Sequence, residues 1–279
     1  MSQIIGIITA WGCQDWIRPA IQQAIKYCDE VNVCVNAHSD NLLKFEDDTF
    51  NVVEEFSRDI NIIEFNKQAT HLEIKSKILN QCLEESRYFD IGNWVWILDA
   101  DEFYDDTFCK KILKQLITNN PYDQICIKER YFYINMQHYL KSEHNRFFKI
   151  NSLQDRFYPM QQWSGTTKVG YLSGDILFHY CMLLNPNLKL EQWKSEFPNT
   201  NQQNKLDWLE KIYRNYDLKN EEYWIKENEK LFGIRSPLIN IAAIPNEDGK
   251  LFKYTGKHPE VIEESGLTKI KDFRKYYRF

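Results

Sequence analysis

The sequence carries no basic excess: 35 lysines and arginines stand against 40 aspartates and glutamates, a formal charge of −5. A footprint for a phosphate backbone needs surplus cations, so nucleic acid is not expected as a partner. Long apolar runs are missing as well, and none approaches the ~18 residues that cross a bilayer. The opening MSQIIGIITAWGCQDW has no basic leader region and its apolar run soon breaks, so it reads as neither signal peptide nor anchor. The expected location is cytoplasmic, with at most peripheral contact with a membrane. The seven cysteines (Cys13, Cys28, Cys34, Cys82, Cys109, Cys126, Cys181) are odd in number and include no CxxC, which argues against a disulfide framework and a zinc site. They are expected as reduced, mostly buried thiols. No GxxxxGK[ST] loop occurs, which removes a P-loop ATPase, and neither internal repeats nor low-complexity tracts are present.

What is present suits a folded chain of 279 residues, 43% hydrophobic and 15% aromatic, long enough to bury a full core. Ile4–Thr9 is a β-rich apolar run, and Ile17–Tyr27 has helical spacing with Pro19 near its start. A strand is expected at Val31–Val35, ending in the loop cluster Asn36-Ala37-His38-Ser39-Asp40, and another at Asn61–Phe65. Apolar spacing from Thr70 to Tyr88 predicts an amphipathic helix. The continuous run Trp94–Leu98 is too short for a helix and reads as a buried central strand. Strands alternating with helices imply a mostly parallel sheet. A helix near Asp106–Asn119 and a strand at Gln124–Lys128 follow. Residues 131–184 are rich in strands and loops, and polar helical segments (Lys205–Arg214, Asn220–Phe232) precede an irregular tail.

The strongest chemical signal is the strand Trp94–Leu98 running into Asp99-Ala100-Asp101-Glu102. Ligands of open α/β sheets sit at the carboxyl ends of strands, where alternate residues share a face, so Asp99 and Asp101 can meet one ligand. Paired carboxylates repel, and a hard divalent cation relieves them: Mg²⁺ or Mn²⁺, which would in turn hold phosphate oxygens. Haloacid dehalogenase-type phosphatases also use a strand followed by DxD, but they expect Thr or Val where Phe103 stands. A plain solvated turn is the remaining reading of the tripeptide.

With these pieces in order, the chain resembles nucleotide-sugar glycosyltransferases of the GT-A fold, most closely the family 2 type. IIGIITAWGCQDWIRPAIQQAIKYCDEVNVCVNAHSD is similar to that family's first strand, helix and second strand. EIKSKILNQCL resembles the helix before the DxD, NWVWILDADEF the metal motif, and HNRFFKI, WSG and ILFHY the later acceptor-side segments. The resemblance spans about residues 4–184. It implies that Thr9, Ala10 and Trp11 border the nucleotide base, that Asp40 lies near base or ribose and Lys75 near the nucleotide. It further implies that Asp99 is a ribose or metal contact, Asp101 the main metal ligand, and His179 a further ligand to metal or diphosphate. Where a branch of the family carries a His-Glu pair after Trp-x-Gly, this chain has Thr166-Thr167-Lys168 after Gly165. The general base an inverting transfer requires is therefore sought among Glu129, Asp155 and Asp175, with Asp175 and Glu129 favoured. In the tail segment Tyr254–Val261, Lys257 and His258 are candidates to close over a diphosphate, against an ordinary turn. Trp163 and Tyr180 are either sugar-stacking rings or core, and His138 and His144 read as surface or loop histidines.

The expected fold is therefore α/β, GT-A-like and Rossmann-like, a mostly parallel sheet flanked by helices, with a catalytic domain over 1–185 and a helical C-terminal extension over 186–279. The function this implies is metal-dependent transfer of a sugar from a nucleotide-diphosphate donor, a UDP-sugar by default, to a hydroxyl of a glycan or glycolipid acceptor, with inversion, as in polysaccharide biosynthesis. The alternatives are a non-catalytic nucleotide- or carbohydrate-binding protein on the same fold, and a DxD phosphohydrolase.

Overall fold

The N-terminal third folds as strand, helix, strand because its apolar residues switch between continuous β-type runs and helical spacing. A computed structural model describes residues 2–37, 40–65, 71–118, 120–196, 202–237 and 244–277. Strands β1 (Ile4–Ala10), β2 (Glu30–Val35), β3 (Asn61–Ile62) and β4 (Trp94–Asp99) lie in the order β3-β2-β1-β4, each parallel to its neighbour. Helix α1 (Gln14–Tyr27) joins β1 to β2 and buries Trp16, Ile17, Ala20, Ile21 and Ala24. It starts earlier than the apolar spacing suggested, because Gln14 and Asp15 are polar, and this leaves Pro19 inside it. After the short α2 (Thr49–Glu54), α3 (His71–Glu84) covers the opposite face of the sheet with Ile74, Ile78, Leu79 and Cys82. β4 is buried on both faces: Trp94, Trp96 and Leu98 pack with the α1 side, Val95 and Ile97 with the α3 side.

The sheet then continues through β5 (Glu102–Tyr104), β6 (Gln124–Tyr133), β7 (Asn135–Lys149) and β10 (Val169–His179), while β8 (Phe157–Tyr158) and β9 (Gln162–Trp163) form a separate ribbon. β7 is antiparallel to both β4 and β6, β10 is parallel to β6, and β5 runs antiparallel along the outer edge of β10. A late strand, β11 (Phe252–Lys253), adds antiparallel to β7. Hence β1 to β4, β6, β10 and β11 all point one way, and only β5 and β7 oppose them. The α/β class expected from the sequence is present, a large mostly parallel sheet between helices.

Several expected boundaries move. The strand expected at 61–65 pairs only over Asn61–Ile62, and the one expected at 124–128 runs on to Tyr133 as half of a long hairpin. The helix expected at 106–119 is helical over 106–118, with a π-type turn at Phe108–Ile112 running into α4 (Leu113–Thr118). His38, Ser39, Thr70 and Asn119, which fell in expected elements, lie outside the described residues.

Beyond residue 185 the chain is mainly helical: α5 (Pro186–Glu196), α6 (Gln202–Trp208), α7 (Glu221–Phe232), α8 (Glu260–Ser265) and α9 (Phe273–Tyr276). The helical segment expected at 205–214 divides into the end of α6 and a π-type turn, Leu209–Tyr213. This C-terminal part also reaches the main core. Ile262, Leu267 and Phe273 belong to the apolar cluster built around α1, and Trp16 packs against Phe273 (ring centroids 5.7 Å), Tyr180 (5.1 Å) and Phe103 (6.3 Å). All seven cysteines are free thiols and all but Cys28 are buried.

Because Phe273 is fully buried against Trp16, Phe273→Ala should cost about 3–5 kcal/mol of stability in urea denaturation. A loss under about 1 kcal/mol would show that the C-terminal helices fold apart from the sheet.

Candidate functional site

The strand order reverses beside β1. From β1 the chain moves outward to β2 and β3, then returns to place β4 on the other side of β1. Such a reversal leaves a crevice at the carboxyl ends of the two strands, where open α/β sheets bind ligands. Thr9 and Asp99 are neighbours at that end in the β1–β4 register, with the Thr9 hydroxyl 3.4 Å from Asp99 Oδ1.

Asp99 keeps some exposure and is bound by two cations: Lys75 Nζ of α3 donates to Oδ1 at 2.7 Å, and Arg146 reaches Oδ2 at 3.4 Å. Burial alone would raise this carboxyl, but Lys75 and Arg146 outweigh it and hold it well below the ordinary carboxylate range. Asp99 thus remains an ionised acceptor at any ordinary pH.

Arg146 is buried, and its position follows from a fault in the β6–β7 ladder. Ile125 pairs with Phe147 while Cys126 pairs with Asn145, so Arg146 is the extra residue of a β-bulge, a device that re-aims a side chain. Its guanidinium grips Glu102, which is fully buried, in a two-pronged pair: Nε donates to Oε2 at 2.6 Å and the second prong goes to Oε1. A further nitrogen donates to Gln161 Oε1 at 2.8 Å. Gln161 adopts a φ of 58°, the left-handed region that non-glycine residues seldom occupy.

The second half of the site is built on β6, β7 and β10. His179, the last residue of β10, directs Nε2 toward Asp101 Oδ2 (3.7 Å) and Nδ1 toward Glu129 Oε2 (3.0 Å). Its backbone pairs with Glu102, which anchors the strand to the DADE segment, and Tyr131 packs edge-on to its ring at 5.0 Å. His144 Nδ1 approaches the same Glu129 oxygen at 2.9 Å from β7. Glu129 is fully buried, and although burial by itself would raise it, His144 and His179 hold its carboxyl well below the usual range. Burial would lower the His179 imidazole, yet Glu129 and Glu102 prevail and raise it well above the ordinary value. Single donor atoms of Asp101, His179 and Cys181 lie within 4.8 Å of one another, as do those of Glu129, His144 and His179.

Asp101, His179 and Glu129 are therefore brought together, and Thr9, Lys75 and Asp99 form an adjoining set. Asp99 lies outside the convergence of Asp101, His179 and Cys181, and its carboxylate is engaged by Lys75 and Arg146. Ala10 ends β1 beside Val35, and the Trp11 indole donates to the Leu42 carbonyl at 2.7 Å, within the turn that Asp40 opens. Among the described residues no hydrogen bond or ion pair joins Asp40, Asp175 or Lys257 to either set. Asp175 falls in a bulged stretch of β10 after Gly174 (φ 98°), opposite Lys128. Asp155 instead caps a turn, accepting from the Asn151 and Ser152 amides at 2.8 and 2.9 Å.

Two expectations are corrected, and a pair of alternatives is decided. His144 is not a loop histidine but part of β7, bearing on Glu129. His138 is likewise on β7, held by Asn135 Oδ1 at 2.9 Å. Trp163 and Tyr180 are core rings: Trp163 packs on Phe157 (4.6 Å) and Tyr180 on Phe132 (4.9 Å), and both are buried. Arg146 and Gln161 were missed. Only HNRFFKI hinted at the arginine, because its partners are set by the bulge.

No protein-family model and no curated protein matches the chain. Among solved structures, it is similar to a glucose-1-phosphate thymidylyltransferase from Bacillus anthracis (9% identity, TM-score 0.32, covering 81% of this chain and 84% of that one). It is also similar to the 2-C-methyl-D-erythritol 4-phosphate cytidylyltransferase of Francisella tularensis (14%, 0.28, 75% and 87%) and to a mannose-1-phosphate geranyltransferase from Thermus thermophilus (11%, 0.31, 80% and 68%). Likeness this distant carries no argument about activity, which rests on the site itself.

Removing one member of a buried ion pair strands the other, so Arg146→Met should destabilise by about 3–5 kcal/mol in chemical denaturation. The double variant Arg146→Met/Glu102→Leu should recover most of that loss; a double variant as unstable as the single would mean that Glu102 is not the partner that matters.

A pH effect follows from the tail. Tyr180 Oη lies 2.7 Å from His258 Nδ1, and burial pushes this imidazole down to about 4. The unfolded chain, with a histidine near 6.5, takes up the proton first as pH falls, so stability should decline from about pH 6.5 toward about 4. His258→Gln should flatten that part of the curve, and an unchanged slope would rule this histidine out as its source.

Proposed function

We propose that the protein is a metal-dependent transferase acting on a nucleotide-activated sugar. The observation that carries this is the placement of Thr9 and Asp99 at the β1–β4 reversal, with Asp101 and His179 at the ends of β4 and β10, strands that point the same way. A carboxylate held ionised by Lys75 and Arg146 suits hydroxyl donors such as those of a ribose. Asp101 and His179 offer an oxygen and a nitrogen that fit a divalent cation, and the nitrogen favours Mn²⁺ over the oxygen shell that Mg²⁺ prefers. Such an ion supplies charge neutralisation to a departing diphosphate. Lys75, beside Asp99, adds a second positive charge on the nucleotide side.

In this reading the donor is a nucleoside diphosphate sugar, UDP-linked by default, and the acceptor is a hydroxyl of a glycan or glycolipid. Of the two carboxylates expected as general base, Glu129 is fully enclosed and engaged by two imidazoles, so it suits ion pairing better than proton abstraction. Asp175 stays the candidate for that role. A second reading, a nucleotide or carbohydrate binder without turnover, is favoured by one observation. Thr167, in the segment where the resembled enzymes carry a His-Glu pair, uses its hydroxyl and amide to hold Asp123.

Thermal shift with nucleoside diphosphates and Mn²⁺ tests the reading. At about a hundredfold excess over Kd, a bound nucleotide should add about 2.7 kcal/mol, with metal dependence lost in Asp101→Asn and nucleotide binding weakened in Asp99→Asn. Metal-dependent hydrolysis of the matching nucleotide sugar separates enzyme from binder. If no nucleotide stabilises the wild type with any divalent ion, the proposal falls.

A further inference from the structure

A single imidazole ring faces carboxylates on both edges: His179 Nε2 looks toward Asp101, while Nδ1 has Glu129 at 3.0 Å and Glu102, already gripped by Arg146, farther off at 3.7 Å. Neutral imidazole has one lone pair and one N–H, so a histidine that binds a metal through one nitrogen must carry its proton on the other. The partner of that second nitrogen decides which nitrogen is free. Glu129 lies 3.0 Å from Nδ1, in line for a hydrogen bond, whereas Asp101 lies 3.7 Å from Nε2.

We infer that Glu129 is a positioning residue of the Asp101–His179 site, accepting the Nδ1 proton of His179 so that Nε2 is left as the donor atom beside Asp101. This rests on the metal site proposed above and gives Glu129 a role that does not require it to reach an acceptor. The fold supplies what such a role needs. Glu129 sits in mid-strand on β6, opposite Leu177 of β10 and Ser142 of β7, with no exposed surface. It cannot swing away to solvent. His144 braces the same Oε2 from β7 at 2.9 Å, and Tyr131 limits rotation of the His179 ring from its edge. Glu129 Oε1 is buried without a hydrogen-bond partner among the described residues. The carboxylate's hydrogen bond is therefore the one through Oε2 to His179, while His144 Nδ1 approaches that oxygen at 2.9 Å without bonding to it.

Glu129 could instead be a metal ligand itself, with His144 and His179, whose donor atoms also converge. The two roles differ in what a glutamine does. An amide oxygen still accepts an N–H, so Glu129→Gln preserves positioning, whereas a ligating carboxylate is not replaced by an amide without a loss comparable to that at Asp101.

The experiment is Mn²⁺ binding to the full chain, with free aqua-Mn²⁺ counted by electron paramagnetic resonance, on wild type, Glu129→Gln, Glu129→Leu and Asp101→Asn. It is joined by ¹⁵N resonances of the histidine rings with Zn²⁺ as a diamagnetic ion. Wild type should show one ring protonated at Nδ1 and metal-bound at Nε2, absent in His179→Ala. Glu129→Leu should weaken Mn²⁺ binding about 10- to 100-fold and lose the Nδ1–H signal; Glu129→Gln should keep that signal and most of the affinity. Should the leucine variant fail to fold, the ¹⁵N readout of wild type decides: a metal-bound His179 ring protonated at Nδ1 supports positioning, and one not protonated there overturns it. Glutamine as damaging as Asp101→Asn overturns positioning in favour of direct ligation. So does a His179 ring metallated at Nδ1. Wild-type binding that needs Asp101 but ignores both Glu129 variants overturns this inference and leaves the metal site standing, while no Mn²⁺ binding by wild type removes both.

Discussion

The rest of the site depends on a buried ion pair, Arg146 with Glu102. Two charges taken out of water are tolerated only when each satisfies the other in good geometry, and here the two-pronged contact does so with both residues enclosed. Glu102 opens the edge strand β5, and Arg146 sits near the middle of the sheet on β7. The pair thereby ties the segment after β4 to the sheet and holds Asp99 and Asp101 in place on either side of Ala100. The same guanidinium extends to Asp99, so one cation organises two of the four carboxylates in this region. The other two, Asp101 and Glu129, face His179.

The arrangement separates two kinds of acid that look alike in the sequence. Asp99 is matched by fixed cations, and its charge does not change with conditions. Asp101 is buried and, among the described residues, its side chain has an imidazole as its ion-pair partner, with the Cys181 thiol converging on the same point. A strand ending in DADE thus carries one carboxylate held by fixed cations and one facing an imidazole, a difference created by residues from α3, β7 and β10.

How much of this was legible in the sequence follows from the range of each interaction. The parallel half-sheet and its helices come from local periodicity, and Trp94–Leu98 could be read as central because its residues are apolar without alternation, as burial on both faces demands. Asp99, Asp101, Lys75 and His179 were reached through motif order. Arg146 was not, because its role depends on a one-residue bulge that no spacing rule registers, and its partner lies 44 positions away. His144 was misread for a related reason. On an isolated strand it looks like any polar residue of a hairpin, and only the register with β6 and β10 brings it to Glu129. Trp163 and Tyr180 show the converse, since an aromatic ring next to a functional segment can be wholly occupied in packing.

Trp16 precedes almost everything it packs on: the surface it needs is completed by Phe273 and Tyr277, and the β7 flank beside β4 is completed by β11. During synthesis the ribosome delivers these pieces long after β4. The half-sheet of β1 to β4 therefore leaves the exit tunnel with one face of α1 uncovered and an open strand flank, and it stays so while the whole stretch up to Phe273 is still being made. A nascent chain in that condition is a substrate for holding chaperones and is prone to mispairing. Closing of the core thus waits on α9.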